Sequence, residues 1–170
     1  DKGKGVEDFI SAMVELKRKK ILFKAKIIGN GGMEEELKKR TISLALKDNI
    51  VFLNSKNQFN LRKFYCSFDL FIFPTYRYSE SLGLVGLEAL SCGTPVLGSE
   101  IGEIQNYIIE DINGFLFEPQ NINMLVEKII KYKELSTSEK LKLRKQALRS
   151  VGNFNSIKVS KEMINFLHNL

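Results

Sequence analysis

The sequence predicts an α/β fold in which a parallel sheet is flanked by helices. Short β-favouring apolar runs alternate with segments of helical periodicity, and glycine, proline and asparagine stand at the joints. Such alternation is satisfied by right-handed crossovers, which place a helix between parallel strands. The 170 residues, 44% hydrophobic and 27% charged, suffice for one unit with a substantial core, so 1–170 is read as a single domain.

Residues 6–20 carry Val6, Phe9, Ile10, Met13 and Leu16 at helical spacing, with acids early and lysines late, as a helix dipole favours. Residues 21–28 are β-rich. Gly29-Asn30-Gly31-Gly32 then turns the chain into a helix over 33–47, which has Glu34, Glu35 and Glu36 in its first turn. That glycine loop lacks the G-x-G-x-x-G spacing and the acid that should follow it. It therefore reads as a structural turn at the ligand side of the sheet, where the backbone of Gly31 can reach a ligand. A strand at 50–53 and a helix at 61–68 follow. The run 70–73 is apolar, β-favouring and stopped by Pro74, which suits a buried parallel strand. After a polar loop, Gly83 precedes Leu84, Leu87, Ala89 and Leu90 at helical spacing, and Gly93 with Pro95 ends that helix. A strand at 95–98, a short helix at 103–109, a strand at 114–117 and helices over the last fifty residues complete the pattern.

Composition narrows the function classes. Lys and Arg number 26 against 20 Asp and Glu, a net charge of +6. Basic clusters at 17–20, 38–40 and 140–145 read first as solvated helix faces and helix C-termini. The functional reading of the same charge is attraction to an anionic membrane surface or to an anionic nucleotide. Nucleic acid is not expected as a partner, because no zinc finger, recognition helix or RNA-binding aromatic motif accompanies the charge. No stretch approaches the ~20 apolar residues that span a bilayer. Cys66 and Cys92 make no metal-like cluster and are expected as buried free thiols in a reducing cytoplasm. His168, the lone histidine, is expected at the surface.

The chemistry concentrates between Phe71 and Ser99, where strand, loop, glycine turn and helix succeed one another with Glu80 and Glu88 framing the turn. On one continuous helix these acids would stand about 80° apart around the axis and about 12 Å apart along it, a poor grip on one small group. With Glu80 in the loop and Glu88 inside the helix, both can face a ligand spread across the helix N-terminus. The backbone N–H groups of Gly83, Leu84 and Val85 then face a phosphate, assisted by the helix dipole. A carboxylate only accepts hydrogen bonds, so it suits sugar hydroxyls better than phosphates. The bland alternatives are an exposed loop acid for Glu80 and an exposed helix acid for Glu88.

The run ESLGLVGLEALSCGTPV at 80–96, with KGV at 4–6 and NGFLFEP at 113–119, resembles the C-terminal, donor-binding half of a GT-B glycosyltransferase of the family 4 type, through nearly the whole chain. The resemblance implies a Rossmann-like parallel sheet and a first strand ahead of Asp1. It also implies an acceptor-binding N-terminal domain outside the given residues, so that 1–170 is a fragment and inactive on its own. By the same resemblance Glu80 holds the catalytic position against the transferred sugar and Glu88 meets the ribose. The diphosphate falls to the backbone of Gly83, Leu84 and Val85, and Lys4 neutralises it, with Lys2-Gly3 as an alternative register. Thr94 is placed in the donor site through its hydroxyl, with a turn or cap role as the other reading. Tyr78 and Ser79 lengthen the loop before Glu80, and Glu103 puts a carboxylate after Gly102 where the family commonly has a flexible residue.

The implied activity is retaining transfer of a sugar from a UDP- or GDP-sugar to an acceptor hydroxyl, in cell-surface polysaccharide or lipopolysaccharide synthesis. No metal and no cofactor are expected, and the sequence has no Asp-x-Asp motif. The expected place is the cytoplasm, peripheral at the inner face of the membrane. The alternative is a noncatalytic nucleotide-sugar binding or assembly module.

Overall fold

A computed structural model describes residues 2–154 of the chain. His168 and the end of the expected C-terminal helices lie outside the described residues. A 3-10 turn, Lys2–Lys4, leads into α1, Val6–Arg18. Then come β1 (Ala25–Ile28), α2 (Glu34–Ser43), β2 (Ile50–Leu53), α3 (Gln58–Ser67) and β3 (Phe71–Phe73). The second half holds α4 (Leu84–Ser91), β4 (Val96–Ser99), α5 (Ile104–Tyr107), β5 (Gly114–Phe117), α6 (Ile122–Glu134) and α7 (Thr137–Ser150).

Every strand pair is parallel, as the alternation predicts, but the pairing divides into two sheets. One joins β1 to β2 and the other has the order β3-β4-β5. Alternate strand residues enter opposite layers. Leu97, Phe115 and Phe117 pack with Ile10 and Leu16 of α1 and Leu125 of α6, and Ile27, Phe52 and Ile72 rest on the same cluster. Both sheets thus share one apolar layer. On the other face, Phe73 and Val96 pack with Tyr65 of α3, Leu87 and Leu90 of α4, and Ile104 and Tyr107 of α5. Full burial of a Leu or Phe side chain contributes about 1.5–3 kcal/mol, which makes these layers the main source of stability.

Two boundaries depart from expectation for one reason. The strand expected from residue 21 begins at Ala25, because Lys20 adopts a left-handed φ of 59° and closes α1. There the amide of Ile21 bonds the carbonyl of Leu16 (2.9 Å) and that of Lys20 the carbonyl of Lys17 (2.9 Å). The same closure ends α2 early at Ala45, φ 56°, where the amide of Leu46 bonds the carbonyl of Thr41 (2.8 Å). Helix α3 begins three residues earlier than predicted, at Gln58, because the Asn57 side chain accepts from the amide of Asn60 and caps it.

Candidate functional site

Strand β3 ends at Phe73, and the chain after it is tied to the N-terminus. The amide of Tyr76 and the hydroxyl of Thr75 both donate to the carbonyl of Gly3, at 2.9 and 3.2 Å. Gly5, in the left-handed region at φ 68°, lies so close to Pro74 that an added Cβ would stand 1.8 Å from its carbonyl oxygen. Only glycine fits there, so the Lys4-Gly5 pair is anchored at the sheet's C-terminal edge with the Lys4 side chain exposed.

The loop then returns to the sheet at Gly83. Its φ of 64° and ψ of 53° make it a left-handed N-cap that opens α4 without any side-chain cap. A Cβ at Gly83 would lie 2.7 Å from the Phe73 ring and 3.1 Å from the Tyr107 hydroxyl. The amide of Gly86 is used by the Gly83 carbonyl (2.9 Å), whereas Leu84 and Val85 in the first turn have no intrahelical acceptor by helix geometry. Both residues are exposed, Leu84 at 64% and Val85 at 37%, and both lie at the positive end of the helix dipole.

Two buried tyrosines, neither singled out in the sequence, hold this turn and its acids. The hydroxyl of Tyr107 on α5 donates to the Gly83 carbonyl at 3.1 Å. Behind it, the fully buried Asn113 donates to the Tyr107 carbonyl (2.8 Å) and accepts from the amide of Ile109 (2.7 Å). Burial raises the Tyr107 phenol well above its usual range, and the Glu80 carboxylate adds to this. The hydroxyl of Tyr65 on α3 donates to Oε2 of Glu88 at 3.2 Å. Burial chiefly, then Glu88, raises the Tyr65 phenol in the same way, so both tyrosines stay protonated donors. In a helix each reads as an apolar core position. The signal available was that a buried phenol needs a partner for its polar tip.

Of the two readings of Thr94, the structure shows the turn role in place of the donor contact: it is fully buried, and its hydroxyl donates to the Tyr65 carbonyl at 2.5 Å, so it ties α3 to the turn after α4. The cysteines also differ from expectation: Cys66 is exposed on α3 and Cys92 is half-buried just past α4. Glu103 accepts from the Asn106 side chain (2.8 Å) at the start of α5. The Gly29–Gly32 loop is joined to the loop after β2 by Asn30, whose Oδ1 accepts from the Ser55 amide (2.5 Å) and hydroxyl (2.7 Å). Lys56, in the loop after β2, lines a shallow basic depression with Lys26, Asn60 and Lys63. Among the described residues no cluster of His, Cys, Asp or Glu could hold a metal ion, and no helix is long and apolar enough to cross a membrane.

The arrangement can therefore hold an anion on backbone amides and two hydroxyl-bearing groups on flanking carboxylates. Residues 1–149 match the family model described as Glycosyl transferases group 1. An uncharacterised glycosyltransferase of Methanocaldococcus jannaschii is 34% identical over 118 residues, which is 69% of this chain and 30% of the relative. Sulfoquinovosyl transferase SQD2 of Arabidopsis thaliana is 36% identical over 129 residues, 74% of this chain and 23% of the relative. The chain thus spans less than a third of either. Among solved structures, Anabaena HepE in complex with UDP superimposes with a TM-score of 0.87 at 22% identity, covering 100% of this chain and 46% of that one. Sucrose-phosphate synthase from Thermosynechococcus elongatus gives 0.86 at 24% identity, covering 99% and 43%. At these identities the structural likeness shows the fold, that of GT-B glycosyltransferases.

Proposed function

The chain belongs to the glycosyl transferases group 1 family, and from that premise we propose that it is the donor-binding half of a retaining hexosyltransferase that moves a sugar from a UDP- or GDP-sugar to an acceptor hydroxyl. The observation that carries the reading is the uncapped, left-handed Gly83 opening α4, with Glu80 three residues before it in the chain and Glu88, held by the Tyr65 hydroxyl, five residues after it. The diphosphate lies against the amides of Leu84 and Val85 at Gly83, with Lys4 as its counter-charge. Glu80 accepts from hydroxyls of the transferred sugar, and Glu88 accepts from the ribose.

The residues act by electrostatic stabilisation. As the bond between anomeric carbon and phosphate oxygen breaks, negative charge grows on the leaving diphosphate, and the fixed amide dipoles and Lys4 oppose it without reorganising. No metal is needed in this scheme. The UDP complex of HepE and its UDP-glucose complex, proteins of the same fold, support a nucleotide-sugar donor. Among the described residues β1 and β3 share one apolar layer but no ladder, which supports a further parallel strand between them. The net charge of +6 supports peripheral attraction to the anionic cytoplasmic face of a membrane, where lipid-linked acceptors for surface polysaccharide would be met.

Incubating the full-length protein with UDP-glucose and GDP-mannose over a panel of acceptors tests the reading, with product configuration assigned by proton NMR. Transfer with an α-linked product is expected. Inversion overturns the retaining assignment, and donor binding without transfer to any acceptor favours a noncatalytic module.

A further inference from the structure

Glu88 sits five residues into α4, and a glutamate there has three rotatable bonds with which to leave any ligand it is meant to hold. Its partner removes much of that freedom. Tyr65 is 5% exposed, and its ring meets Phe71 edge-on at 5.4 Å and 86°, so the phenol has a fixed direction. Its own backbone is fixed as well, since the Thr94 hydroxyl donates to its carbonyl and so ties α3 to the end of α4. The hydroxyl that meets Oε2 of Glu88 at 3.2 Å is thereby held relative to the helix that carries Glu88. Oε2 is engaged by a rigid donor, and the carboxylate keeps acceptor capacity for a ligand.

Building on the ribose role given to Glu88 above, we propose that Tyr65 is a positioning residue: it orients the Glu88 carboxylate so that the site selects a ribonucleotide over its 2′- or 3′-deoxy counterpart. A preorganised acceptor gains selectivity because a ligand lacking the hydroxyl leaves the half-buried carboxylate without its second partner. A freely rotating Glu88 would turn to water and forfeit that discrimination. Tyr65→Phe keeps the ring and its contact with Phe71, and removes only the oxygen.

Titration calorimetry on the full chain tests this with UDP, GDP, and the 2′- and 3′-deoxy forms of whichever binds more tightly. For the wild type, a preference for the ribonucleotide of about tenfold is expected, the scale of a hydrogen bond to a charged group. Glu88→Gln should abolish most of it. Tyr65→Phe should reduce it to about threefold or less while leaving affinity for the deoxynucleotide unchanged, and the double variant should be no less selective than Glu88→Gln alone. 4-Methylphenylalanine at position 65 fills the hydroxyl's volume without its donor and should behave like Tyr65→Phe, even if the phenylalanine variant does not fold. 4-Aminophenylalanine restores a donor and should restore selectivity. If Glu88→Gln removes the preference but both donor-free variants keep it, the positioning role falls while the ribose role stands. If Glu88→Gln leaves the preference intact, both fall.

Discussion

The hydroxyl of Tyr107 donates to the carbonyl of Gly83 at 3.1 Å, fixing the glycine turn from beneath. Removing that donor by Tyr107→Phe leaves the Gly83 carbonyl with the Gly86 amide alone and frees the turn from α5, at a cost of about 0.5–1.5 kcal/mol in stability. It should also weaken UDP binding by about three- to tenfold while altering UMP much less, because the turn is assigned to the diphosphate. Paired titrations check it, and equal losses for UDP and UMP would place the turn away from the second phosphate.

The same phenol explains a second glycine. A Cβ at Gly86 would stand 2.3 Å from the Tyr107 hydroxyl, 3.1 Å from its Cζ and 3.2 Å from its Cε2. Overpacking of this kind costs typically 1–3 kcal/mol. Gly86→Ala should therefore destabilise, and Tyr107→Phe should offset part of the damage, so that the double variant is more stable than the two single losses predict. Denaturant unfolding of the four proteins measures the coupling. Strict additivity would show that the clash is relieved by another route.

Asp8 gives a dependence on pH. It lies in the first turn of α1, its Oδ2 is buried without a hydrogen-bond partner, and burial chiefly, then Glu7, raises its pKa above the ordinary carboxylate value of 3.8, with Arg40 opposing. A raised carboxylate favours folding fully below the unfolded-state value, and that favour is lost as pH rises through the folded-state value. The wild type should thus lose stability between acid and neutral pH through a term that Asp8→Asn lacks. The difference in Tm, variant minus wild type, should rise from pH 3.5 to pH 7. A flat or falling difference in thermal melts would contradict this.

Helix α7 begins with a capping box in which Ser136 Oγ accepts from the Glu139 amide at 3.3 Å and the Ser136 amide donates to the Glu139 carboxylate at 2.8 Å. Ser136→Ala should cost about 0.5–2 kcal/mol, read as a lowered denaturation midpoint with an unchanged slope. Nucleotide affinity should not move, since the cap joins only Ser136 and Glu139 at the start of α7, neither of which is assigned to the donor site.

The strands and the Gly83 turn were legible in the sequence because they are written locally. Phe71 to Phe73 before Pro74 is short, apolar and punctuated, and Gly83 before Leu84, Leu87 and Leu90 marks a helix start. The early end of α2 at Ala45 was not legible, since the left-handed closure that usually announces itself with glycine is made there by alanine. The division of the sheet into two was hidden for a different reason, as strand adjacency is decided by tertiary packing. Tyr65, Tyr107 and Thr94 were misread or passed over because a buried hydroxyl's partner lies on another helix, 23, 24 and 29 residues away in sequence.

The most direct test of the donor site is titration of wild type, Glu80→Gln and Glu88→Gln with UDP, UDP-glucose, GDP and GDP-mannose. The site assignment predicts that Glu80→Gln weakens only the sugar-bearing ligands, whereas Glu88→Gln weakens sugar nucleotide and bare nucleotide alike, each by about tenfold as expected for a hydrogen bond to a charged group. Equal affinity of all three proteins for every ligand would contradict it.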